Sequence, residues 1–181
     1  THQKTNAHIA YTAVELFLSR QDTAIDEAKV KKTLQTTALP GRWHHIHLQW
    51  KDILLDGAHN EQKMLSLIET LQQHFPEKKC HFYLAFKQGK DRQTMLNIIL
   101  PHASTIIIGE FEGIQDTPFH SVDAMMIKTY IESKNDTIAI SVASPETFLT
   151  DHLVSYDQND IIVCTWSLYR LSDLYTKRKI I

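Results

Sequence analysis

The residues most capable of chemistry stand five in a row, as Asp56-Gly57-Ala58-His59-Asn60. They follow directly after the apolar run 53–55, so a carboxylate and an imidazole stand where a strand is expected to end. In open α/β sheets, ligands bind in loops outside the carboxyl ends of the strands. We therefore predict a ligand-facing loop here, with Asp56 and His59 as its polar contacts.

The residues after this loop predict a helix that begins at the loop itself. Asn60 is a favoured N-cap, and Glu61 places a negative charge at the positive end of the helix. Lys63 occupies the position where a reciprocal capping box would have Glu or Gln, so the start is a simple cap. The apolar stripe of this helix is Met64, Ile68, Leu71 and Phe75.

Beyond Gly41, strand-like runs alternate with helical stretches. The strand-like runs are 45–48, 53–55, 80–86, 105–108, 137–142 and 160–164. Asp91 and the triplet Ser144-Pro145-Glu146 are further helix starts that follow such runs. This alternation is typical of an α/β fold with a mainly parallel sheet flanked by helices.

The loops that follow parallel strands open on one edge of the sheet. Residues that are far apart in sequence can therefore meet at that edge. We expect Asp56, His59, Lys90 and the segment after Cys164 to converge there, and we expect a ligand to bind at this edge.

The first forty residues have a different character, with helical patterns over 7–18 and 25–36. Leu39-Pro40-Gly41 ends the second pattern, because the residue before proline avoids the helical conformation and glycine lets the chain turn. We place a domain boundary here, with 1–39 as a helical segment and 40–181 as the main α/β domain. The chain has no initiator methionine, and we expect it to be a piece of a longer protein.

Composition limits the classes of partner. The chain has 181 residues and a net charge of −2, without the basic excess that binding to nucleic acid requires. It has no apolar run long enough for a membrane span, and no basic stretch followed by an apolar core and small residues marks a signal peptide. We predict a cytoplasmic protein with no nucleic-acid or membrane partner. Cys80 and Cys164 lie in apolar runs and are expected to be free thiols in the core.

Two nucleotide-binding signatures are absent from the sequence, the phosphate loop G-x-x-x-x-G-K-[ST] and the dinucleotide fingerprint G-x-G-x-x-G. Gly89-Lys90-Asp91 resembles the former only superficially, because it lacks the upstream glycine and the magnesium-binding hydroxyl. This stretch is not predicted to cradle phosphate by itself.

A histidine-rich stretch places His45 and His47 on one face of a predicted strand, a spacing that can bind transition metals. No cysteine or carboxylate pattern completes a zinc site. We therefore expect a partly exposed strand face and predict no metal ligand.

Several landmarks occur in the order and approximate spacing of one enzyme family. They are His2-Gln3 with Asn6-Ala7, Leu39-Pro40-Gly41-Arg42, Leu55 to Asn60, Lys90-Asp91, and Ser167-Leu168-Tyr169. On these landmarks the chain resembles the last part of folylpolyglutamate synthase and bifunctional dihydrofolate synthase, members of the Mur ligase superfamily. The resemblance implies that 1–39 are the last helices of the central ATPase domain and that 40–181 form the C-terminal Rossmann-like domain. The phosphate loop and the Mg²⁺ ligands are then expected upstream.

The resemblance also implies a reaction and a set of roles. Such ligases transfer the γ-phosphate of ATP to a carboxylate of dihydropteroate or folate, and the amine of glutamate then attacks the acyl phosphate. By similarity, Asn6 would bond the adenine side of ATP, Arg42 would contact the nucleotide, and Asp56 would hold the ribose or adenine edge. His59 would line the same pocket, and Lys90 would stabilise phosphate or substrate charge. We expect the chain alone to be inactive.

The chain departs from the family pattern at three places. Glu61 replaces the usual proline, and Trp166 replaces the glycine before Ser167-Leu168-Tyr169, the turn implied to shape the glutamate end. The segment Glu110 to His120 lacks an expected arginine. Two alternatives stay open: a cell-wall Mur ligase, which commonly has tyrosine in place of Gly57, and a degenerate binding module without catalysis.

Overall fold

The computed structural model describes residues 2–37, 39–48, 51–114 and 118–165, and all structural statements below concern these residues. The chain divides into two compact units, Thr1–Leu39 and Pro40–Ile181. Trp166 and the turn Ser167-Leu168-Tyr169 lie outside the described residues.

The first unit consists of helices α1 (His2–Ser19) and α2 (Glu27–Thr36). Asp26 caps α2, because its side chain accepts a hydrogen bond from the backbone N–H of Lys29. Within this unit, none of residues 4–37 and 39 is buried. Its exposed large apolar side chains are Ile9, Val14, Leu16, Phe17, Leu34 and Leu39. An apolar helix face of this kind ordinarily packs against another element.

The second unit is built on a six-stranded sheet. Its strands are β1 (His44–Leu48), β2 (Lys51–Asp56), β3 (Lys79–Leu84), β4 (Ala103–Ile108), β7 (Ala139–Val142) and β8 (Asp160–Thr165). The strand order is β1-β2-β8-β3-β4-β7. All neighbouring pairs are parallel except β1 and β2, which are antiparallel. The predicted mainly parallel α/β fold is confirmed.

Helices and a small hairpin connect these strands. The helices are α3 (Glu61–His74), α4 (Arg92–Ile99), α5 (Ala124–Glu132) and the short α6 (Pro145–Thr147), and the hairpin is β5 (Glu112–Ile114) with β6 (Pro118–His120). Further turns follow α4 at Leu100–His102 and α6 at Phe148–His152 and Leu153–Ser155. In the described part of the chain, no helix is both long and apolar enough to cross a membrane.

The core lies in the middle of the sheet. Leu54, Phe82 and Val163, from three adjacent strands, have no exposed surface. The Tyr83 ring stacks on Phe148 with centroids 4.0 Å apart. The run 53–55 reads as continuously apolar because central parallel strands are covered on both faces.

The predicted helix starts are confirmed. Asn60 caps α3 by accepting a hydrogen bond from Lys63 N–H at 3.0 Å, and Asp91 and Ser144 cap α4 and α6. Phe75, predicted in the apolar stripe of α3, is its C-cap and is partly buried. The hairpin β5–β6 was not predicted, because its two strands have only three residues each.

The two cysteines of the second unit are free thiols, as expected from sequence. Cys164 is fully buried in β8, whereas Cys80 is only partly buried. Burial raises the pKa of the Cys80 thiol to about 11. The thiolate form is therefore scarce at neutral pH.

Candidate functional site

The site begins where β2 ends, and two hydrogen bonds tie the linker residues 41–43 to it. The carboxylate of Asp56 accepts a hydrogen bond from Trp43 N–H at 2.8 Å. One residue later, Gly57 N–H donates to the carbonyl of Gly41 at 2.8 Å. Gly41 and Trp43 both have positive φ, of 70° and 47°, a conformation that suits glycine and strains tryptophan. Arg42 is held between them, beside the loop.

Asp56 has an unusual electrostatic environment for a carboxylate. Burial raises its pKa above the ordinary value of 3.8, against the lowering effect of hydrogen bonds from the backbone of Trp43 and Ala58. The positive charges of Arg42 and Lys63 also favour its ionised form. The carboxylate thus has two roles in the loop. It accepts hydrogen bonds from the backbone of Trp43 and Ala58, and it offsets the positive charges of Arg42 and Lys63.

His59 adopts a defined tautomer. Its Nδ1 lies 2.7 Å from the carbonyl oxygen of Gly57, which can only accept a hydrogen bond. Nδ1 therefore carries the proton, and the lone pair of Nε2 accepts a hydrogen bond from Lys63 Nζ, 3.3 Å away. The neutral imidazole links the loop to the first turn of α3 and orients the ammonium group of Lys63.

Lys63 is the site residue that the sequence pattern did not identify. Burial lowers its pKa, the charges of Arg42 and Lys90 lower it further, and only Asp56 raises it. Lys63 therefore feels two other cations and one carboxylate. A signal was present in the sequence: a lysine in the first turn of a helix opposes the helix dipole and replaces a capping Glu. Such an unfavourable choice is typical of a functional position.

Lys90 and the segment after Cys164 were also predicted to lie at this edge. Lys90 is exposed in the turn between β3 and α4, where Gly89 has a φ of 79°. Thr165, the last residue of β8, donates its hydroxyl proton to the carbonyl of Ala58 at 3.1 Å in a buried contact. The residue directly after Cys164 therefore reaches the loop. Asn6 belongs to the first unit, where it is exposed on α1.

A cleft lies beyond the ends of β3 and β4. It is an open cleft of about 560 Å³ whose polar lining includes Gln88, Glu110, His120 and Asp123. Glu110 accepts a hydrogen bond from Ala124 N–H at 2.7 Å, so this carboxylate caps α5. Residues of the segment without the expected arginine thus line a polar cleft. Glu110 within the segment and Asp123 beyond it both accept N–H groups at the start of α5.

The carboxyl edge does not fit a resident Mg²⁺ ion. Mg²⁺ needs oxygen ligands in near-octahedral geometry, several of them usually carboxylate or water. Among the described residues at this edge, the carboxylates of Asp56, Glu110 and Asp123 each accept backbone N–H groups. Asp56 is also surrounded by cations.

The described residues contain one group of three side chains that could hold a metal ion, and it lies elsewhere. His45, His47 and Asp52 on the hairpin β1–β2 place their ligand atoms within 4.8 Å of one another. The two histidines were recognised from sequence as a metal-compatible pair. Asp52 was missed, because only the antiparallel register sets it directly opposite His47.

Comparison with known proteins decides the family. The family described as the C-terminal domain of dihydrofolate synthetase matches residues 43–177. The chain belongs to this family. Dihydrofolate synthase/folylpolyglutamate synthase of Bacillus subtilis is 25% identical to it over 183 residues, which cover 99% of this chain and 40% of the relative. The chain thus spans about 40% of the length of the curated relatives it matches.

Solved structures support the fold of this dihydrofolate synthetase C-terminal domain. Folylpolyglutamate synthase of Mycobacterium tuberculosis, in complex with ADP and AMPPCP, matches 97% of the chain and 40% of its own length with a TM-score of 0.75. The bifunctional synthase of Yersinia pestis, complexed with AMPPNP and Mn ion, matches 84% of the chain and 34% of its own with a TM-score of 0.68. The TM-scores show a shared fold, at sequence identities of 19% and 17%.

Proposed function

We propose that this chain is the C-terminal part of an ATP-dependent ligase that joins glutamate to dihydropteroate or folate. A substrate carboxylate takes the γ-phosphate of ATP, and the glutamate amine then displaces phosphate from the acyl phosphate to form an amide. One observation carries the proposal: the positive charges of Arg42 and Lys90 both act on Lys63, and Arg42 and Lys63 both act on the carboxylate of Asp56. A polyphosphate would relieve the repulsion among these cations, because charged hydrogen bonds to phosphate oxygens are strong.

The contacts at the loop suggest a division of roles. Lys63 and Lys90 face the phosphate charge, and Arg42 contacts the nucleotide from the linker. Asp56 binds the ribose or adenine edge, because a carboxylate has about four acceptor positions and two backbone N–H groups leave some unused. His59 acts through Lys63, whose ammonium group it orients.

The first unit fits a different part of the same enzyme. We propose that 1–39 are the last helices of a central ATPase domain and that Asn6 contacts the adenine side of ATP. The exposed apolar residues of α1, among them Ile9 and Phe17 at 62% exposure each, are those expected of a helix that packs against a larger domain. The Mg²⁺ ligands and the phosphate loop belong to that domain.

Binding of ATP to the 181-residue chain tests the site. We expect saturable shifts of the amide resonances of Arg42, Asp56 to Asn60, Lys63 and Lys90, with a dissociation constant on the order of millimolar, roughly −4 kcal/mol. Lys63→Met should weaken binding roughly tenfold, or about 1.4 kcal/mol. Lys128→Met is the matched control, because Lys128 lies on α5 and pairs with Glu132. Micromolar affinity, or equal binding by Lys63→Met and the wild type, would contradict the proposal.

Activity is tested on the complete reading frame. We expect the DNA upstream of Thr1 to encode G-x-x-x-x-G-K-[ST] in frame, and the full polypeptide to release ADP with dihydropteroate or folate and glutamate. The 181-residue chain alone should release none. An upstream frame without a phosphate loop would favour a binding module that lost its catalytic partner. The family match favours the folate branch over the cell-wall ligases.

A further inference from the structure

The strongest unassigned feature lies on the exposed face of the hairpin β1–β2. The antiparallel register pairs His47 with Asp52 directly, and His45 lies two residues before His47 on the same face. His45 Nε2 lies 2.9 Å from Asp52 Oδ1, and His47 Nδ1 lies 2.8 Å from the same oxygen. The two imidazole rings have centroids 4.6 Å apart. Two nitrogens and one carboxylate oxygen therefore converge on a single point.

The surroundings hold this carboxylate in place. The other oxygen of Asp52 forms an ion pair with Lys78, whose ammonium group also donates to the carbonyl of Gln158. Burial opposes ionisation of Asp52, but hydrogen bonds from Lys78 and His45 outweigh it and lower its pKa. The ring of His45 packs edge-on against Phe75, with centroids 5.5 Å apart. Outer contacts of this kind orient the ligands in protein metal sites.

We propose that His45, His47 and Asp52 form a binding site for a divalent first-row transition metal such as Zn²⁺. Two imidazoles with one carboxylate suit Zn²⁺ better than the hard cations Mg²⁺ and Ca²⁺. The site is separate from the proposed ATP site, because Asp52 lies near the start of β2 whereas Asp56 ends it. It owes nothing to the proposed ligase activity.

The geometry requires only a small adjustment. Ligand distances of about 2.0–2.2 Å place ligand atoms roughly 3.3 Å apart around a tetrahedral ion. The present N···O separations of 2.8 and 2.9 Å are those of hydrogen bonds, so both must open slightly. The side chain of His47 is 74% exposed and has room to move. Three protein ligands leave the fourth position for water.

Zinc binding to the full 181-residue chain, stripped of metal and free of any affinity tag, tests the proposal. We expect isothermal titration to give one equivalent of Zn²⁺ and the melting temperature to rise. Co²⁺ in the same site should give the intense visible absorption of a four-coordinate ion. His47→Ala should weaken Zn²⁺ binding roughly tenfold or more.

The controls separate this site from general binding by surface histidines. His8→Ala removes an exposed histidine of α1 and should leave Zn²⁺ binding unchanged. Asp52→Asn should weaken binding as His47→Ala does, with circular dichroism as a check on its fold. Because His47 is exposed, His47→Ala decides the question even if Asp52→Asn fails to fold. Absence of Zn²⁺ binding by the wild type, or equal binding by His47→Ala and His8→Ala, would show an ordinary hydrogen-bonded cluster and overturn the proposal.

Discussion

Charged side chains are paired differently at the two edges of the mainly parallel sheet. At the amino edge, Asp52 pairs with Lys78, and Asp160 lies 3.2 Å from the imidazole of His81. In the loop after β2, at the carboxyl edge, the positive charges of Arg42 and Lys63 act on the carboxylate of Asp56. The ion pair of Asp52 and Lys78 at the amino edge stabilises the folded chain without a ligand. The mutual repulsion of Arg42, Lys63 and Lys90 in this loop is unfavourable alone and suits the binding of an anion.

The pKa values of the carboxylates also differ between the two edges. The pKa values of Asp52 and Asp160 lie below the ordinary 3.8, because hydrogen bonds and nearby cations outweigh the effect of burial. The pKa of Asp56 lies above 3.8, because burial there outweighs the hydrogen bonds and cations. The difference teaches that a carboxylate near cations is not automatically stabilised in its ionised form.

The largest effect should come from removing the carboxylate at the carboxyl edge. Asp56→Ala leaves the backbone N–H groups of Trp43 and Ala58 without their acceptor and leaves Arg42 and Lys63 without a counter-charge. We expect the free energy of unfolding to fall by about 2–4 kcal/mol, measured by urea denaturation. Asp56→Asn keeps an acceptor oxygen and should lose less. A loss under about 0.5 kcal/mol in Asp56→Ala would show that the hydrogen bonds of Asp56 to the linker and the loop do not stabilise the fold.

The next largest effect is expected in acid, where Asp52 and Asp56 should contribute to stability with opposite pH dependence. The stability that Asp52 contributes is present above pH 3.8 and is lost as the pH falls through its lowered folded-state pKa. Asp56 behaves in the opposite sense: its contribution is fully present below pH 3.8 and is lost as the pH rises through its raised folded-state pKa.

Unfolding in urea over a pH series from about 3 to 7 measures both effects. Asp52→Asn should flatten the loss of stability in acid relative to the wild type. Asp56→Asn should make that loss steeper, because it removes a group that stabilises the fold at low pH. Identical pH dependence in the two variants would contradict the contrast between the edges.

A smaller effect of opposite sign is expected at Lys63. Lys63→Glu removes repulsion from Arg42 and Lys90 and places a carboxylate in the first turn of α3, and we expect these gains to exceed the lost attraction to Asp56. We expect the free energy of unfolding to rise by about 0.5–1 kcal/mol while ATP binding is lost. Glu69→Lys, at an exposed position later in α3, is the charge-reversal control. A destabilised Lys63→Glu would mean that the cation serves the fold and not the ligand.

The smallest effect belongs to the exposed hairpin. In the absence of metal, His47→Ala should change the free energy of unfolding by less than about 0.5 kcal/mol, because exposed ion pairs contribute little. The residue is 74% exposed in its side chain, so no packing is lost. Thermal melts in the presence of a chelator measure this. A large loss would show that His47 stabilises the fold, and metal binding would then not be needed to explain why a histidine stands at this position.

Much of the fold could be predicted from the sequence, because its signals are local. The apolar run 53–55 predicts a buried strand, and Asn60, Asp91 and Ser144 predict helix starts. Alternation of strands and helices then indicates parallel pairing. Errors fall at short elements, where a hairpin of three-residue strands has too little periodicity to detect.

The composition of the sites was decided by pairings between distant parts of the chain. The sequence by itself determined that Asp56 and His59 follow a strand and that His45 and His47 share a face. Only the tertiary structure joined Trp43 to Asp56 and set Asp52 opposite His47. Hydrogen bonds and ion pairs form between atoms a few ångströms apart, and sequence spacing does not specify that proximity once the chain crosses from strand to strand.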